Sequence, residues 1–157
     1  MIQPRKETDV APNRPEWENL PLIKVVGVSA AGKSTLVNGL REQGYNARPA
    51  SQEHSEMPEM WRKIRPPAIL IYLEIDLATQ NERRPDVSWD PAWLATEEYR
   101  LRHARQHADL ALNTSGLEAG EVLSHVLAWL EGQPNPIARM SYPLPPVPKT
   151  GSAASSA

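Results

Sequence analysis

The feature that most constrains this 157-residue chain is an apolar segment that runs directly into a glycine-bounded loop and then into a helical pattern. The apolar segment covers Leu22 to Val28. The loop reads Gly27-Val28-Ser29-Ala30-Ala31-Gly32-Lys33-Ser34. Glycines at both ends allow the backbone to wrap around an anion, so that successive N–H groups and the start of the next helix point at it. The pattern therefore predicts a phosphate-binding loop between a strand and a helix.

Within this loop, the residue types assign separate roles. We expect Lys33 to reach the β and γ phosphates of a nucleotide, and the Ser34 hydroxyl to ligate Mg²⁺. The alternative is a glycine-rich turn that binds nothing, but the strand before the loop and the helix after it favour phosphate binding. The residues expected to contact the nucleotide are Gly27, Ser29, Ala30, Ala31, Gly32, Lys33, Ser34 and Thr35.

Composition excludes several other classes of protein. With a formal net charge of -2, the chain has no electrostatic reason to bind nucleic acid or an anionic membrane. The chain has no cysteine, which excludes disulfides and thiolate metal sites. Its longest apolar run, Ala68 to Leu73, is too short to span a bilayer, and Met1 to Asn19 lacks the apolar centre of a signal peptide. We therefore expect a cytoplasmic protein with no nucleic-acid or membrane partner.

Prolines concentrate near the two ends of the sequence, and this distribution predicts the domain boundaries. Residues 1–20 are expected to form a flexible N-terminal segment, and residues 21–132 a single folded domain. Residues 133–157 lack hydrophobic periodicity, which predicts a disordered tail rich in proline, serine and alanine. A short polyproline stretch is expected at Pro143 to Pro148.

Strand and helix patterns alternate through the central domain, and this alternation predicts an α/β fold with a parallel sheet of about four strands. An Asp90-Pro91 helix start and a Ser115-x-x-Glu118 capping box indicate where two of the helices begin. The predicted strands are 22–28, 45–51, 68–76 and 109–113, and the predicted helices are 33–42, 58–64, 90–108 and a last one that ends near 130.

The order of these elements resembles that of the small P-loop kinases, the group that includes adenylate, shikimate, gluconate and adenylylsulfate kinases. The resemblance covers Leu22 to about Leu130 and rests on the loop, the Ile71-Tyr72-Leu73-Glu74-Ile75 strand and the arginines after it. It implies a three-layer P-loop NTPase fold that binds ATP and Mg²⁺ and transfers the γ-phosphoryl group to an unidentified small molecule or nucleotide.

The same resemblance implies further site residues. Asn113 and Thr114 would lie near the adenine, and an arginine-bearing segment would form a lid over the phosphates. The lid candidates are Arg83, Arg84 and one or more of Arg100, Arg102 and Arg105. Their alternatives are a solvated pair for the first two, and helix-face ion pairs with Glu97 and Glu98 for the other three.

Two departures separate the chain from these kinases. The family usually has one more strand, which often carries the Walker B carboxylate, and here too few residues separate the second strand from Ala68 to form it. Ala30 and Ala31 also stand where relatives often have glycine or a polar residue, which we expect to be tolerated if their φ angles are negative. These departures leave a second functional hypothesis open, a noncatalytic or slowly hydrolysing nucleotide switch.

One carboxylate is singled out by its position after the second strand. Glu53 would lie at the carboxyl end of the sheet, where it could polarise an acceptor hydroxyl or hold a water on Mg²⁺. His54 could assist it, and Glu74 and Asp76 are the alternatives for the metal-water role. The predicted catalytic residues are Lys33, Glu53, Arg83 and Arg84.

Overall fold

The structure is a computed structural model that describes residues 15–87 and 90–148. Its centre is a four-stranded sheet with strand order β2-β1-β3-β4, in which every neighbouring pair is parallel. The predicted α/β class and the small parallel sheet are therefore confirmed. The strands are β1 (Ile23–Gly27), β2 (Ala47–Pro49), β3 (Ile69–Glu74) and β4 (Leu110–Asn113).

Five α-helices accompany these strands in the described part of the chain. Helices on both faces of the sheet give the three-layer arrangement expected from the sequence. α1 and α5 pack closely, because a side chain at Gly39 would meet Leu123, whereas α4 lies against β3 with Arg105 over the Tyr72 ring. The helices are α1 (Lys33–Glu42), α2 (Leu77–Arg83), α3 (Pro91–Arg100), α4 (Arg102–His107) and α5 (Ala119–Glu131).

β3 lies inside the sheet and has the burial expected of a strand covered on both faces. It pairs with β1 on one side and β4 on the other, and its residues from Ile69 to Leu73 are all buried. β2 is an edge strand of only three residues, shorter than the predicted 45–51. Pro49 has no N–H to donate to a ladder, which favours this edge position.

The predicted helix over 90–108 is wrong in one respect, because it is two helices. α3 begins as expected, with Asp90 accepting a hydrogen bond from the Trp93 N–H and Pro91 in the first turn. The chain then departs from helical geometry at Leu101, where φ is -94° and ψ is 0°. Leu101 and Ala104, on either side of the start of α4, are both completely buried.

Two other helical predictions differ from the structure. The capping box belongs to Glu118 and Glu121, one turn later than predicted, because the Ser115 hydroxyl instead accepts the backbone N–H of Asp76. The predicted helix over 58–64 is only a 3-10 turn at Met60–Arg62. No described helix has the length and apolar content needed to cross a membrane.

The end segments are more structured than composition predicted. Residues 133–148 cross α1: the Leu144 N–H donates to the Arg41 carbonyl, the Arg41 side chain donates to the Pro145 carbonyl, and Leu144 is buried. At the other end, Trp17 is buried with the Arg41 guanidinium over its ring. Residues 1–14 and 149–157 lie outside the described residues, so the predicted disorder there remains a prediction.

Candidate functional site

The loop from Gly27 to Lys33 needs its two glycines for different reasons. A Cβ on Gly27 would overlap the carbonyl of Leu73 on the neighbouring strand, so glycine allows β1 and β3 to approach here. Gly32 is the N-cap of α1 and has a φ of 102°, a conformation that favours glycine. The described side chains provide no cap for α1, so its first N–H groups lie at the open end of the loop.

Ala30 adopts a left-handed conformation with a φ of 69°, in contrast to the expected negative angle. For a residue with a Cβ this conformation costs about 1–2 kcal/mol, so surrounding contacts must hold it. The Arg83 guanidinium donates to the Ala30 carbonyl at 2.9 Å, and the Thr114 hydroxyl donates to the Ala31 carbonyl at 3.0 Å. The strained loop is therefore fixed from α2 and from the turn after β4.

Lys33 folds back over the start of its own loop. Its Nζ donates to the carbonyls of Gly27 and Val28 at 2.9 and 3.2 Å, and it forms an ion pair with Glu53 Oε2 at 2.8 Å. Glu53 is only 3% exposed, and its Oε1 has no hydrogen-bond partner among the described atoms. The structure thus brings together the two predicted catalytic residues Lys33 and Glu53, with His54 Nε2 at 3.5 Å from the same carboxylate.

A second buried carboxylate, Glu97 of α3, contacts the other side of the loop. Its two oxygens accept the backbone N–H and the hydroxyl of Ser29, and Gln80 donates to both the Ser29 carbonyl and Glu97. Glu97 and Gln80 are completely buried. Sequence reasoning missed this contact, because Glu97 follows the pattern of an ordinary charged helix residue and lies 68 positions from Ser29.

The predicted lid arginines are not gathered at one place. Arg100 approaches the Glu53 turn, where it donates to the Glu53 carbonyl at 3.4 Å and pairs with Glu56 at 3.3 Å. Arg83 instead donates hydrogen bonds to the carbonyl of Ala30 in the loop and to the carbonyl of Thr114 after β4. Arg84 and Arg102 make local contacts, with Asp86 and with the Tyr99 ring, and Arg105 pairs with Glu74 at the end of β3.

A cavity of about 330 Å³ opens beside the loop, between the first turns of α1 and α5. Its wall is largely apolar on the α5 side and carries guanidinium groups on the α2 side. The predicted adenine-side residues do not line it: Thr114 is buried behind the loop, and the Asn113 side chain accepts the Ser115 N–H. The lining residues are Ala30, Ala31, Gly32, Thr35, Leu36, Arg83, Arg84, Leu117, Ala119 and Val122.

The oxygen donors near Lys33 are of the kind that Mg²⁺ prefers. Ser34 is exposed in the first turn of α1, and Glu53 Oε1 is a buried carboxylate oxygen with a free lone pair among the described atoms. The alternatives proposed for the metal-water role are already engaged, Glu74 with Arg105 and Asp76 as the N-cap of α2. The hydrogen bond from Thr79 lowers the pKa of Asp76, which is consistent with this capping role.

Trp61 is buried next to the 3-10 turn that contains Glu53. Its indole N–H donates to Nδ1 of His103 at 3.1 Å, and the rings of His103 and His107 stack with centroids 4.2 Å apart. Partial burial, followed by the effect of His107, lowers the pKa of His103. Over residues 15–87 and 90–148 no group of three or more histidine, aspartate or glutamate side chains could hold a metal ion.

Comparison of the sequence with protein-family models and with curated proteins finds no match in either.

Proposed function

We propose that this chain binds MgATP at the Gly27–Lys33 loop and transfers the γ-phosphoryl group to a small molecule or nucleotide. The observation that carries the proposal is the backbone of the loop. Left-handed conformations at Ala30 and Gly32 curve the chain ahead of an α1 N-terminus that no described side chain caps. Such a backbone turns several N–H groups and the positive end of the helix dipole toward one point, which suits a phosphate group.

The cavity beside the loop supports a nucleoside as the rest of the ligand. It begins at Ala30 and Gly32 and extends to Leu117 and Val122, so a group attached to a phosphate at the loop could enter it. Apolar walls suit the faces of a nucleobase, and the guanidinium of Arg84 at the rim could stack on one.

Two features support transfer in addition to binding. The unpartnered Glu53 Oε1 could accept the proton of an acceptor hydroxyl as that oxygen bonds to the γ-phosphorus and the bond to the β-phosphate oxygen breaks. Arg100 and Lys33 could neutralise the charge that develops on the transferred group. Bound Mg²⁺, held by Ser34 and by Glu53 through water, would supply further charge neutralisation.

A second candidate function is a noncatalytic or slowly hydrolysing nucleotide switch. The small sheet favours it: β2 pairs directly with β1, so the described sheet has no strand between them to carry a Walker B carboxylate. Both candidates require nucleotide binding and differ only in turnover. Incubation with MgATP, with and without acceptors that raise the melting temperature beyond MgATP alone, followed by product analysis, separates them.

Lys33→Ala tests the binding step. We expect its affinity for MgATP to fall by about 100-fold, since the substitution removes an ammonium that would form charge-assisted hydrogen bonds with phosphate oxygens. Lys63→Ala is the matched control, because Lys63 is exposed. Calorimetric titration measures affinity, and circular dichroism shows whether each variant is folded.

Lys33→Ala leaves the buried Glu53 carboxylate without its cation. The double variant Lys33→Ala/Glu53→Gln therefore provides a second test, in which neither member of this ion pair is left as an unpaired buried charge. Unchanged MgATP affinity in folded Lys33→Ala, or equal MgATP affinity in the folded double variant and in Glu53→Gln alone, would overturn the proposal.

A further inference from the structure

Two buried carboxylates, Glu53 and Glu97, bind the Lys33 ammonium and Ser29 near the start of the loop. The acceptors around Lys33 Nζ, two carbonyls and Glu53 Oε2, satisfy the donors of a lysine ammonium. Glu97 accepts both donors of Ser29, its backbone N–H and its hydroxyl. An anion that bound the Lys33 ammonium would have to replace Glu53, and an anion that bound the two donors of Ser29 would have to replace Glu97.

These donors belong to the part of the loop that would face a terminal phosphate. Lys33 binds the carbonyls of Gly27 and Val28, the two residues directly before Ser29, so its ammonium and Ser29 lie close together. The lysine of this loop pattern reaches the β and γ phosphates, whereas the helix N-terminus holds the phosphate nearest to it. Glu53 and Glu97 therefore lie where the outermost phosphate would arrive.

The opposite part of the loop is open. No described side chain caps α1, and Ser34 and Thr35 of its first turn are exposed. A phosphate at this helix end would not have to displace a carboxylate. The charges are also asymmetric, because two buried carboxylates accompany a single ammonium, that of Lys33, at the start of the loop. Arg100 adds a cation nearby, but its guanidinium is paired with Glu56.

From this asymmetry we infer that Glu53 and Glu97 are specificity-determining residues, which make the loop bind a nucleoside diphosphate more tightly than the corresponding triphosphate. The inference rests on the proposed function, since it concerns the same nucleotide site. A diphosphate would compete with one carboxylate, Glu53 at the Lys33 ammonium, whereas a third phosphate group must displace both carboxylates or meet the charge of both.

The two carboxylates are connected, so a triphosphate would have to move both of their elements. Glu97 belongs to α3, and Glu53 belongs to the 3-10 turn Gln52–His54 on which α3 packs. Arg100 of α3 donates to the Glu53 carbonyl, and the buried Gln52 side chain donates to the Arg100 carbonyl. Admission of a third phosphate would therefore displace α3 and this turn together.

The test compares MgADP with MgATP in five forms of the full chain by calorimetric titration, with the β,γ-imido analogue of ATP as a check against turnover. The variants are Glu53→Gln, Glu97→Gln and their double variant, and glutamine retains the shape of each side chain. Glu97→Gln should fold, because an amide can accept from the Ser29 N–H and donate to its hydroxyl. The control is the double variant Glu82→Gln/Glu98→Gln, which removes one exposed carboxylate from α2 and one from α3.

We expect the parent chain to bind MgADP about tenfold or more tightly than MgATP, the usual scale for one lost charge-assisted hydrogen bond. The double variant Glu53→Gln/Glu97→Gln should reverse or abolish this preference, and the control variant should retain it. Equal or tighter binding of MgATP by the parent, or an unchanged preference in the folded double variant, would overturn this inference alone. Failure of the folded parent to bind either nucleotide would overturn the proposed function as well.

Discussion

Arg83 donates from Nη2 to the carbonyl of Thr114 at 2.8 Å and from Nη1 to the carbonyl of Ala30 at 2.9 Å. One guanidinium thus joins the end of α2, the candidate phosphate loop and the turn after β4. The planar, multi-donor guanidinium suits such a bridge, in which several carbonyls must be satisfied from one side chain. Because these contacts hold the left-handed Ala30, Arg83 acts on the loop through its conformation.

Arg83→Ala should lower the free energy of unfolding by about 2 kcal/mol, because the substitution removes charge-assisted hydrogen bonds and leaves partly buried carbonyls unsatisfied. It should also weaken MgATP binding, since nothing else in the described contacts holds the Ala30 carbonyl. Urea denaturation and calorimetric titration measure the two effects.

Arg84→Ala is the control for that variant. Arg84 is the next residue and carries the same charge, but its side chain is 53% exposed and pairs only with Asp86 at the surface. We expect its stability to change by less than about 0.5 kcal/mol. Equal destabilisation by the two substitutions would contradict the bridging role of Arg83.

The elements that the sequence predicted well are those determined by local patterns. The loop, β1, α1 and β3 follow from glycine spacing and from runs of apolar residues between Leu22 and Leu73, which need no knowledge of distant contacts. The contacts of Glu97 and Arg83 could not be predicted in this way, since they join segments 68 and 53 residues from the loop positions they hold. Their residue types fit an exposed helix face equally well.

Composition was misleading for residues 133–148 because it measures how many apolar side chains a segment has, not whether a site exists for one of them. Leu144 is 3% exposed, and the backbone N–H groups of Met140 and Leu144 pair with the carbonyls of Gly44 and Arg41. The Val147 N–H donates to the Asn38 side chain. A proline-rich segment loses little conformational freedom on docking, so a few such contacts are sufficient to hold it.

Leu144→Ala should therefore destabilise the folded protein by about 2 to 3 kcal/mol, the usual scale for truncating a buried leucine. Tyr142→Ala, two residues away and 48% exposed, should have little effect. Chemical denaturation measures both variants. If the two substitutions had the same small effect, the segment would not contribute to stability, and the boundary at Gly132 predicted from composition would stand.

Tyr72 gives a prediction for alkaline pH. Burial, and then the neighbouring Glu74 carboxylate, raise the pKa of its hydroxyl from 10.0 to about 12. The unfolded chain releases this proton above about pH 10 while the folded chain retains it, so stability should fall as pH rises from 10 toward 12. Tyr72→Phe should reduce the loss between pH 9 and pH 11 by roughly 1 kcal/mol. Denaturation near pH 9 and near pH 11 tests it, and identical losses in parent and variant would contradict the assignment.

Glu53→Gln tests catalysis, as distinct from the nucleotide preference already considered. The amide cannot take a proton from an acceptor hydroxyl, so turnover with MgATP should fall by roughly 10² or more, even at saturating nucleotide. Glu98→Gln, which removes an exposed carboxylate of α3, should retain the parent rate. Retention of parent turnover by Glu53→Gln would make Glu53 a loop-positioning residue, and Glu74 would become the next candidate because it also lies at the carboxyl end of a strand. Absence of turnover in the parent, with MgATP bound, would instead favour the nucleotide switch.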